Sequence, residues 1–551
     1  MEELIQELEE LREKYQKSKE MLSRSEDECR RLESEREALQ KKVSYYEECL
    51  RLSQHRQFAR SSEKSDADSR QLLLFDEAEN EAEAKRPEPS VEEITYTRSK
   101  PVASVKKAGD DLASLPTERI EYTLTGDGLV CPECGDEMHL IGFDERKEFV
   151  IIPAQVKIVI HAQGIYGCRR CERENIHVPI RKAKLPAPVI KGSAASASAI
   201  AHIMTQKYMQ GVPLYRQELS FMKDDIKLSR QTMANWLLRA AQDWLLPLYQ
   251  EIRRRLLKEE ILHADETEVQ VLREPGRASR SQSYMWLYRS GKDSAAPAVL
   301  FDYKETRSSA HPMNFLKDFS GYLHTDGYAG YGKLGAGVRR CGCWAHVRRK
   351  FHEGVKALPQ EERLNSLSQK GLQYCDRLFA LEREYEKLPP EERRIKRLEQ
   401  SRPITEAFFA WAQKTSALPK SALGKALHYA LDQRPLLETF YLDGRLEISN
   451  NRAERSIKPF VIGRKNWLFC CSPKGAEASA VIYSIIETAK ENRLKPFEYL
   501  KYILETMPNI AMEQYPTLLP WSKELPGFCR LKEPGGSDGG KAEESAAEVE
   551  A

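Results

Sequence analysis

Three acidic residues, far apart in the chain, are of a type and setting that could hold divalent cations. Asp265 lies in ILHADETEVQVL, Asp326 in GYLHTDGYAGY and Glu454 in LEISNNRAERSIKPF. In the first stretch the two-residue side-chain period groups Asp265 with Thr267, Val269 and Val271. It puts Glu266, Glu268 and Gln270 on the opposite, solvated face. A carboxylate among valines is costly without a partner. Asp326 alone reads as the acid of an Asp-Gly turn. Glu454 alone reads as half of a surface ion pair on a short helix that Pro459 limits or kinks. Taken together, two aspartates on neighbouring strands and a glutamate on a helix can converge on one point. Like charges so placed raise one another's pKa unless a cation intervenes. Hard Mg²⁺ prefers such oxygens. Two ions about 4 Å apart can activate an attacking oxygen and stabilise a leaving one in phosphoryl displacement. Asp265, Asp326 and Glu454 are therefore the expected catalytic residues and magnesium ligands.

A second constellation is built on sulfur. Cys131-Pro-Glu-Cys134 and Cys168-Arg-Arg-Cys171 form two CxxC knuckles, each able to present two thiolates to one tetrahedral zinc ion. Four thiolates leave no open position, so this zinc is expected to be structural. The intervening EFVIIPAQVKIVIHA reads as two strands broken at Pro153, as in a zinc ribbon. By contrast, Cys341 and Cys343 in CGCWAH suit a strand entering a helix and are read as structural. His346 is then placed near a phosphate.

Basic residues flank the acids. Arg348, Arg349 and Lys350 follow His346, while Asn451, Arg455, Lys458, Arg464 and Lys465 surround Glu454. Both clusters suit a phosphate track. Trp344 and Trp467 are read as core. Upstream, VPLYRQELSFMKDDIKLSRQTMANWLLRAAQ parses as helix, turn, helix, with Pro213 in a first turn and Ser229 as an N-cap. Leu214, Leu219 and Met222 would face the core. Arg230, Gln231, Asn235 and Arg239 would remain to contact DNA.

Periodicity along the chain gives the elements that carry these side chains. Residues 1–52 carry an a/d heptad seam (Leu4, Leu8, Leu11, Tyr15, Ser18, Leu22, Ser25, Cys29, Leu32, Arg36, Leu39, Val43, Tyr46, Leu50), with Ser18, Ser25 and Arg36 as polar interruptions, that predicts a self-associating coiled coil. Residues 53–115 are polar and read as a flexible linker. The zinc module then occupies 116–185 and the helical DNA-binding region 186–258. The first part of an α/β core follows over 259–354, an all-helical insertion over 355–440, the second part of the core with C-terminal helices over 441–510, and a partly disordered tail over 511–551. The chain has 551 residues, 31% charged and 41% hydrophobic, with a net charge of only +2, so nucleic-acid binding must rest on local patches. No apolar run has the length of a membrane span and MEELIQELEE is no signal peptide, which predicts a cytoplasmic protein.

HADET, DGYAGY, CWAHVRRKF, DGRLEISNNRAERSIKPFVIGRKNWLF and VIYSIIETAKENRLKPFEYL, together with the CxxC knuckles and ARSSEK after the heptads, resemble the motifs of the insertion sequence 66 family of bacterial transposases. The resemblance spans nearly the whole chain. It implies a multidomain α/β protein: a coiled coil, a zinc-ribbon-like module and a helix-turn-helix-like region preceding a ribonuclease-H-like core of the DDE type, interrupted by the helical insertion. It implies Asp265, Asp326 and Glu454 as the triad. Glu447, Glu477 and Glu487 compete for the third place, and Glu454 is preferred for its Asn-x-x-Glu-Arg setting. It also implies two accessory proteins of the same element. The expected activity is Mg²⁺-dependent cleavage at terminal inverted repeats and strand transfer into target DNA, by a nucleoid-associated protein. A non-catalytic DNA-binding derivative and a coiled-coil scaffold are the rival readings.

Overall fold

The structure is a computed structural model that describes residues 2–58, 156–166 and 181–532. Cys131, Cys134, Cys168 and Cys171, and with them the expected zinc site and most of the linker, lie outside the described residues. Two compact units are present, one of residues 60–184 and one of the remainder. In the first, Ile165–Tyr166 pairs antiparallel with Arg181–Lys182. Residues 156–162, the described part of the second strand expected of the ribbon, are not in a strand.

The larger unit begins with helix α1 (Glu2–Phe58), which continues past the expected end of the heptads. Leu11, Leu22, Leu32, Leu39, Val43 and Leu50 of the seam are all exposed. Near its end, Arg51 Nε donates to the Ala357 carbonyl at 2.8 Å, and the Glu48 carboxylate accepts from the Ala422 amide.

Helices α2 (Ala197–Tyr208), α3 (Leu214–Lys223), α4 (Arg230–Ala240) and α5 (Leu246–Leu256) come next. The Ser229 side chain caps α4 by accepting from the Thr232 amide at 3.1 Å, as its position in the sequence predicts. Met233 and Leu237 are buried on α4, but α3 departs from expectation. Leu219 is 40% and Met222 59% exposed. The buried side chain of α3 is Gln217, whose amide donates to the Val212 carbonyl at 2.9 Å. Leu219 and Met222 therefore face solvent, while Leu214 packs against the core as expected, beside Phe221 and the polar contact of Gln217 to the turn before the helix.

The five-stranded sheet contains β1 (Ile261–Gln270), β2 (Gln282–Ser290), β3 (Val299–Lys304), β4 (Gly321–His324) and β5 (Val338–Cys341), in the order β3-β2-β1-β4-β5. β1, β2 and β3 form an antiparallel meander, while β4 runs parallel to β1, and β5 parallel to β4. Leu262, His263 and Ala264 are consecutively buried on β1, so this central strand is covered on both faces. Helix α6 (Trp344–Lys356) follows β5 directly. Helices α7 (Leu367–Glu384), α8 (Arg402–Lys414) and α9 (Ala422–Asp432) join α6 around a second core. That core contains Trp344, Phe351, Phe408 and Phe409.

The chain returns to the sheet with α10 (Asn451–Trp467). Pro459 lies inside this helix and does not end it, because a proline forfeits one backbone bond while α10 packs along β1 and β2. The run expected as a strand after it contributes only a single bridge, Cys470 to Val271. Helix α11 (Pro473–Glu491) covers the edge strand: Thr488 Oγ1 accepts from the Val299 amide at 3.0 Å, and Ser484 Oγ from the Phe301 amide at 2.8 Å. Those hydroxyls occupy edge donors that would otherwise invite another strand. After α12 (Pro496–Thr506) the chain does not become a tail where expected. Leu518, Leu519, Leu525 and Cys529 are buried, and Tyr499 donates to the Leu518 carbonyl at 2.7 Å. Residues 533–551 lie outside the described part.

Candidate metal centre and nucleic-acid interface

The parallel pairing of β1 and β4 sets the site. Its register runs Ile261 to Tyr322, Leu262 to Leu323 and His263 to His324. Each histidine is followed two residues on by an aspartate, so continuing this register sets Asp326, just past the end of β4, level with Asp265 within β1. Asp265 Oδ1 accepts from the Glu266 amide at 2.9 Å, and Asp326 Oδ1 from the Tyr328 amide at 2.9 Å. Burial pushes the Asp265 carboxyl well above the usual carboxylate range. The charges of Glu266, Glu454 and Asp326 push the same way, and the Glu266 amide opposes them. Asp265 thus feels both other members of the expected triad.

Glycine at 327 is required by a close approach from the insertion. A Cβ there would lie 2.7 Å from the Tyr429 ring of α9. The second aspartate is therefore seated against the helical block that follows it in sequence.

Glu454 occupies the first turn of α10. Its Oε2 accepts from Arg349 Nη2 at 2.8 Å, while its Oε1 is buried without a hydrogen-bond partner and lies 3.7 Å from His346 Nδ1. Among the described residues, the donors that all lie within 4.8 Å of one another are those of Cys343, His346 and Glu454. The three expected carboxylates do not form so tight a group; Glu454 is turned toward α6. Burial lowers the His346 pKa more than Glu454 raises it. Arg349 Nη1 is also 3.3 Å from His346 Nε2, so the guanidinium spans both groups.

The competing glutamates are differently placed. Glu447 is bound by Arg452 through both oxygens, at 2.8 and 3.2 Å, and lies 3.0 Å from His263 Nε2. Burial favours its neutral form, but His263 and then Arg452 outweigh this and hold it well below the usual carboxylate range. Glu487 is buried on α11 and accepts from Lys490 at 2.7 Å. Neither is among the strongest charges acting on Asp265.

Glu266, expected to be solvated, is a correction. Its side chain is 2% exposed and paired with Arg307, and it accepts from the Tyr331 hydroxyl at 2.7 Å. With both faces of β1 covered, alternation does not separate inside from outside here. Sequence reasoning also missed His263 and His324. A legible signal was present: both strands carry His-x-Asp, as HAD and HTD.

The expected DNA contacts differ in partner and in exposure. Arg348 donates to Asp376 at 2.6 Å, Arg349 to Glu454, and Lys350 Nζ sits 4.7 Å from the centre of the Tyr429 ring. Arg464 reaches Thr267 Oγ1 at 3.5 Å. Arg455 and Lys465 are exposed, while Asn451 and Lys458 are half-buried. On α4, Arg230 lies 3.8 Å from Glu218 and over the Tyr215 ring. Gln231 donates to Asn235 at 3.3 Å, and Arg239 is 3.8 Å from Asp243. All four of these α4 side chains are exposed. Trp344 is fully buried, and Trp467 packs on Phe460 with ring centres 5.4 Å apart, as the core reading of both requires.

Comparison with known proteins gives the setting for this geometry. Residues 192–478 match the model described as Transposase IS66 family, and residues 129–172, which include all four knuckle cysteines, match the zinc-finger binding domain of transposase IS66. Residues 484–521 match the IS66 C-terminal element, and 45–120 the model named Transposase C of IS166 homeodomain. The uncharacterized protein y4jD of Sinorhizobium fredii is 31% identical over 435 residues, covering 76% of this chain and 83% of its own. The uncharacterized protein y4qI of the same organism is 29% identical over 426 residues, covering 74% and 76%.

Proposed function

The chain belongs to the IS66 family of transposases, and from that premise we propose that it binds terminal inverted repeats of its element, cuts there and joins the freed ends to target DNA. The observation that carries this reading is the register of the parallel pair, which sets Asp326, just past the end of β4, level with Asp265 within β1, with the charge of Glu454 acting on Asp265. The strand order, an antiparallel meander with two parallel strands added beside β1, supports a ribonuclease-H-like core.

The donor chemistry fits hard divalent cations. Asp265 is a buried carboxyl raised by neighbouring acids, and Glu454 Oε1 is a buried oxygen without a donor. Both penalties vanish when a cation is shared. Asp265, Asp326 and Glu454 would hold two Mg²⁺ ions, with Glu454 turning from Arg349 to complete the set. When bound, such ions supply an activated oxygen nucleophile and neutralise charge on the leaving oxygen. The chain's own residues do the rest. Arg349, once released, and its neighbours Arg348 and Lys350 orient the scissile phosphate. His346 borders the same phosphate, while Asn451, Arg455, Lys458, Arg464 and Lys465 extend the track along α10. Arg230, Gln231, Asn235 and Arg239 on α4 contact the repeat. Cys131, Cys134, Cys168 and Cys171 hold a structural zinc. The exposed seam of α1 pairs with a second copy, and two accessory proteins of the element complete the assembly.

A labelled terminal repeat with Mg²⁺, the purified protein and the accessory proteins tests the proposal. Wild type cuts, and Asp265→Asn binds without cutting. Binding without cutting by wild type would favour a non-catalytic derivative. Absence of salt-dependent DNA affinity would favour a scaffold.

A further inference from the structure

The two His-x-Asp segments are joined beneath the acids. His263 and His324 stand opposite each other in the parallel pair, and their imidazoles stack with centres 4.3 Å apart and planes 11° from parallel. Both are fully buried. Buried imidazoles need hydrogen-bond partners; the bonds to His263 Nδ1 and His324 Nε2 come from one segment, Glu447 to Arg452, while His263 Nε2 and His324 Nδ1 make none among the described residues. Asn450 Oδ1 lies 3.0 Å from His263 Nδ1, and the Glu447 amide points at His324 Nε2 at 3.4 Å. The Glu447 carboxylate lies against His263 Nε2 and is clamped by Arg452.

Asn450 is the hub. Its Nδ2 donates to the carbonyl of Ala264 at 2.8 Å, at the peptide that leads into Asp265. Its own carbonyl accepts from the Ala453 amide at 3.0 Å and the Glu454 amide at 3.2 Å, opening the turn that carries Glu454. Its amide donates to Cys343 Sγ at 3.1 Å, at the start of α6. One buried residue therefore touches the backbone beside the first acid, the turn of the third, and the histidine stacked on the strand of the second. A core needing only stability is served as well by apolar groups, since a buried polar network must satisfy every member.

We infer that Asn450, with the His263–His324 stack and the Glu447–Arg452 clamp, is the positioning element that fixes the spacing of Asp265, Asp326 and Glu454. This rests on the assignment of those acids as the metal site. Mg²⁺ demands oxygens in near-ideal octahedral geometry at about 2.0–2.1 Å, so slippage of α10 against β1 weakens the site before it unfolds the protein. Outer groups that orient metal ligands are worth about 10–100-fold in metal affinity.

The experiment is Mn²⁺ binding to the full-length, zinc-replete protein, followed by the electron paramagnetic resonance signal of free Mn²⁺, with thermal midpoints recorded in metal-free buffer. Asn450→Ala is expected to weaken Mn²⁺ binding about tenfold at temperatures where the protein is fully folded. Asn450→Asp keeps the acceptor facing His263 and loses the donor to the Ala264 carbonyl; it carries the test should the alanine variant not fold. A lowered midpoint with wild-type Mn²⁺ affinity would make Asn450 merely structural and overturn the inference. Asp265→Asn separates the two levels. If it leaves Mn²⁺ binding unchanged, the acid assignment fails and this inference with it. If it abolishes binding while Asn450 variants bind as wild type does, the inference fails alone.

Discussion

Glu447 and Glu454 are close in the chain and opposite in setting. Around Glu447 every charge is answered from within: Arg452 takes both oxygens and His263 lies against one. Around Glu454 the pairing is incomplete, with one oxygen on a half-exposed Arg349 and the other buried without a donor. At Glu447 both carboxylate oxygens are paired, although His263 Nε2 and His324 Nδ1 beside it make no hydrogen bond among the described residues; at Glu454 a carboxylate oxygen itself is left without a donor. Unsatisfied buried oxygens lower stability, so their presence beside a buried, raised Asp265 points to binding. A glutamate's place in the sequence does not reveal this difference; its partners do.

Substitution should separate the two regions cleanly. The largest effect is expected in catalysis: Glu454→Gln and Asp265→Asn each lose at least about a thousandfold in cleavage of a labelled repeat, several kcal/mol being at stake at a metal-held phosphate. Glu454→Gln should cost less than about 1 kcal/mol of stability, because its Arg349 partner is largely solvated. Glu447→Gln should instead cost about 2 kcal/mol in urea unfolding, by stranding buried partners. A Glu447→Gln protein as stable as wild type but inactive would exchange the two roles.

The same contrast predicts opposite pH behaviour. The folded Glu447 carboxyl lies below its unfolded value, which is about 4.3. Its contribution is therefore present above that pH and lost as the pH falls toward the folded value. Glu447→Gln should flatten the acid limb of a plot of unfolding midpoint against pH. Asp265 runs the other way, since its folded carboxyl titrates above the unfolded one. At neutral pH its ionised form destabilises the fold, so Asp265→Asn should melt about 2–3 °C higher than wild type without divalent ions. Mg²⁺ should then raise the wild-type melting temperature and leave that of the variant unchanged. Equal responses would remove the distinction between the regions.

The smallest effects belong to α4. Arg230→Ala and Arg239→Ala should each weaken repeat binding a few-fold and lower the slope of log affinity against log salt by about one. Unchanged slopes in a salt titration would detach α4 from the DNA interface.

Much of this architecture was legible because it is local. Two-residue alternation located β1 to β4, the Ser229 cap opened α4, and Trp344 belonged in a core. The errors arose where distant partners decide. Glu266 looked solvated until Tyr331 and Arg307 covered its face of β1. Leu219 and Met222 looked like core, yet α3 docks through Leu214, Phe221 and Gln217. The segment after α12 looked like a tail, yet its own Leu518 and Leu525 are buried. The acids themselves were readable as types in unusual settings. The Arg349–Glu454 pair and the stacked histidines were not, because each joins residues that only folding brings together.

The central claim is that β1 and β4 deliver Asp265 and Asp326 to a shared cation. Crystals soaked in Mn²⁺ and measured for anomalous scattering test it most directly. The account predicts a peak within coordinating distance of both aspartates. A peak held by Cys343, His346 and Glu454 alone, with both aspartates bare, would contradict it.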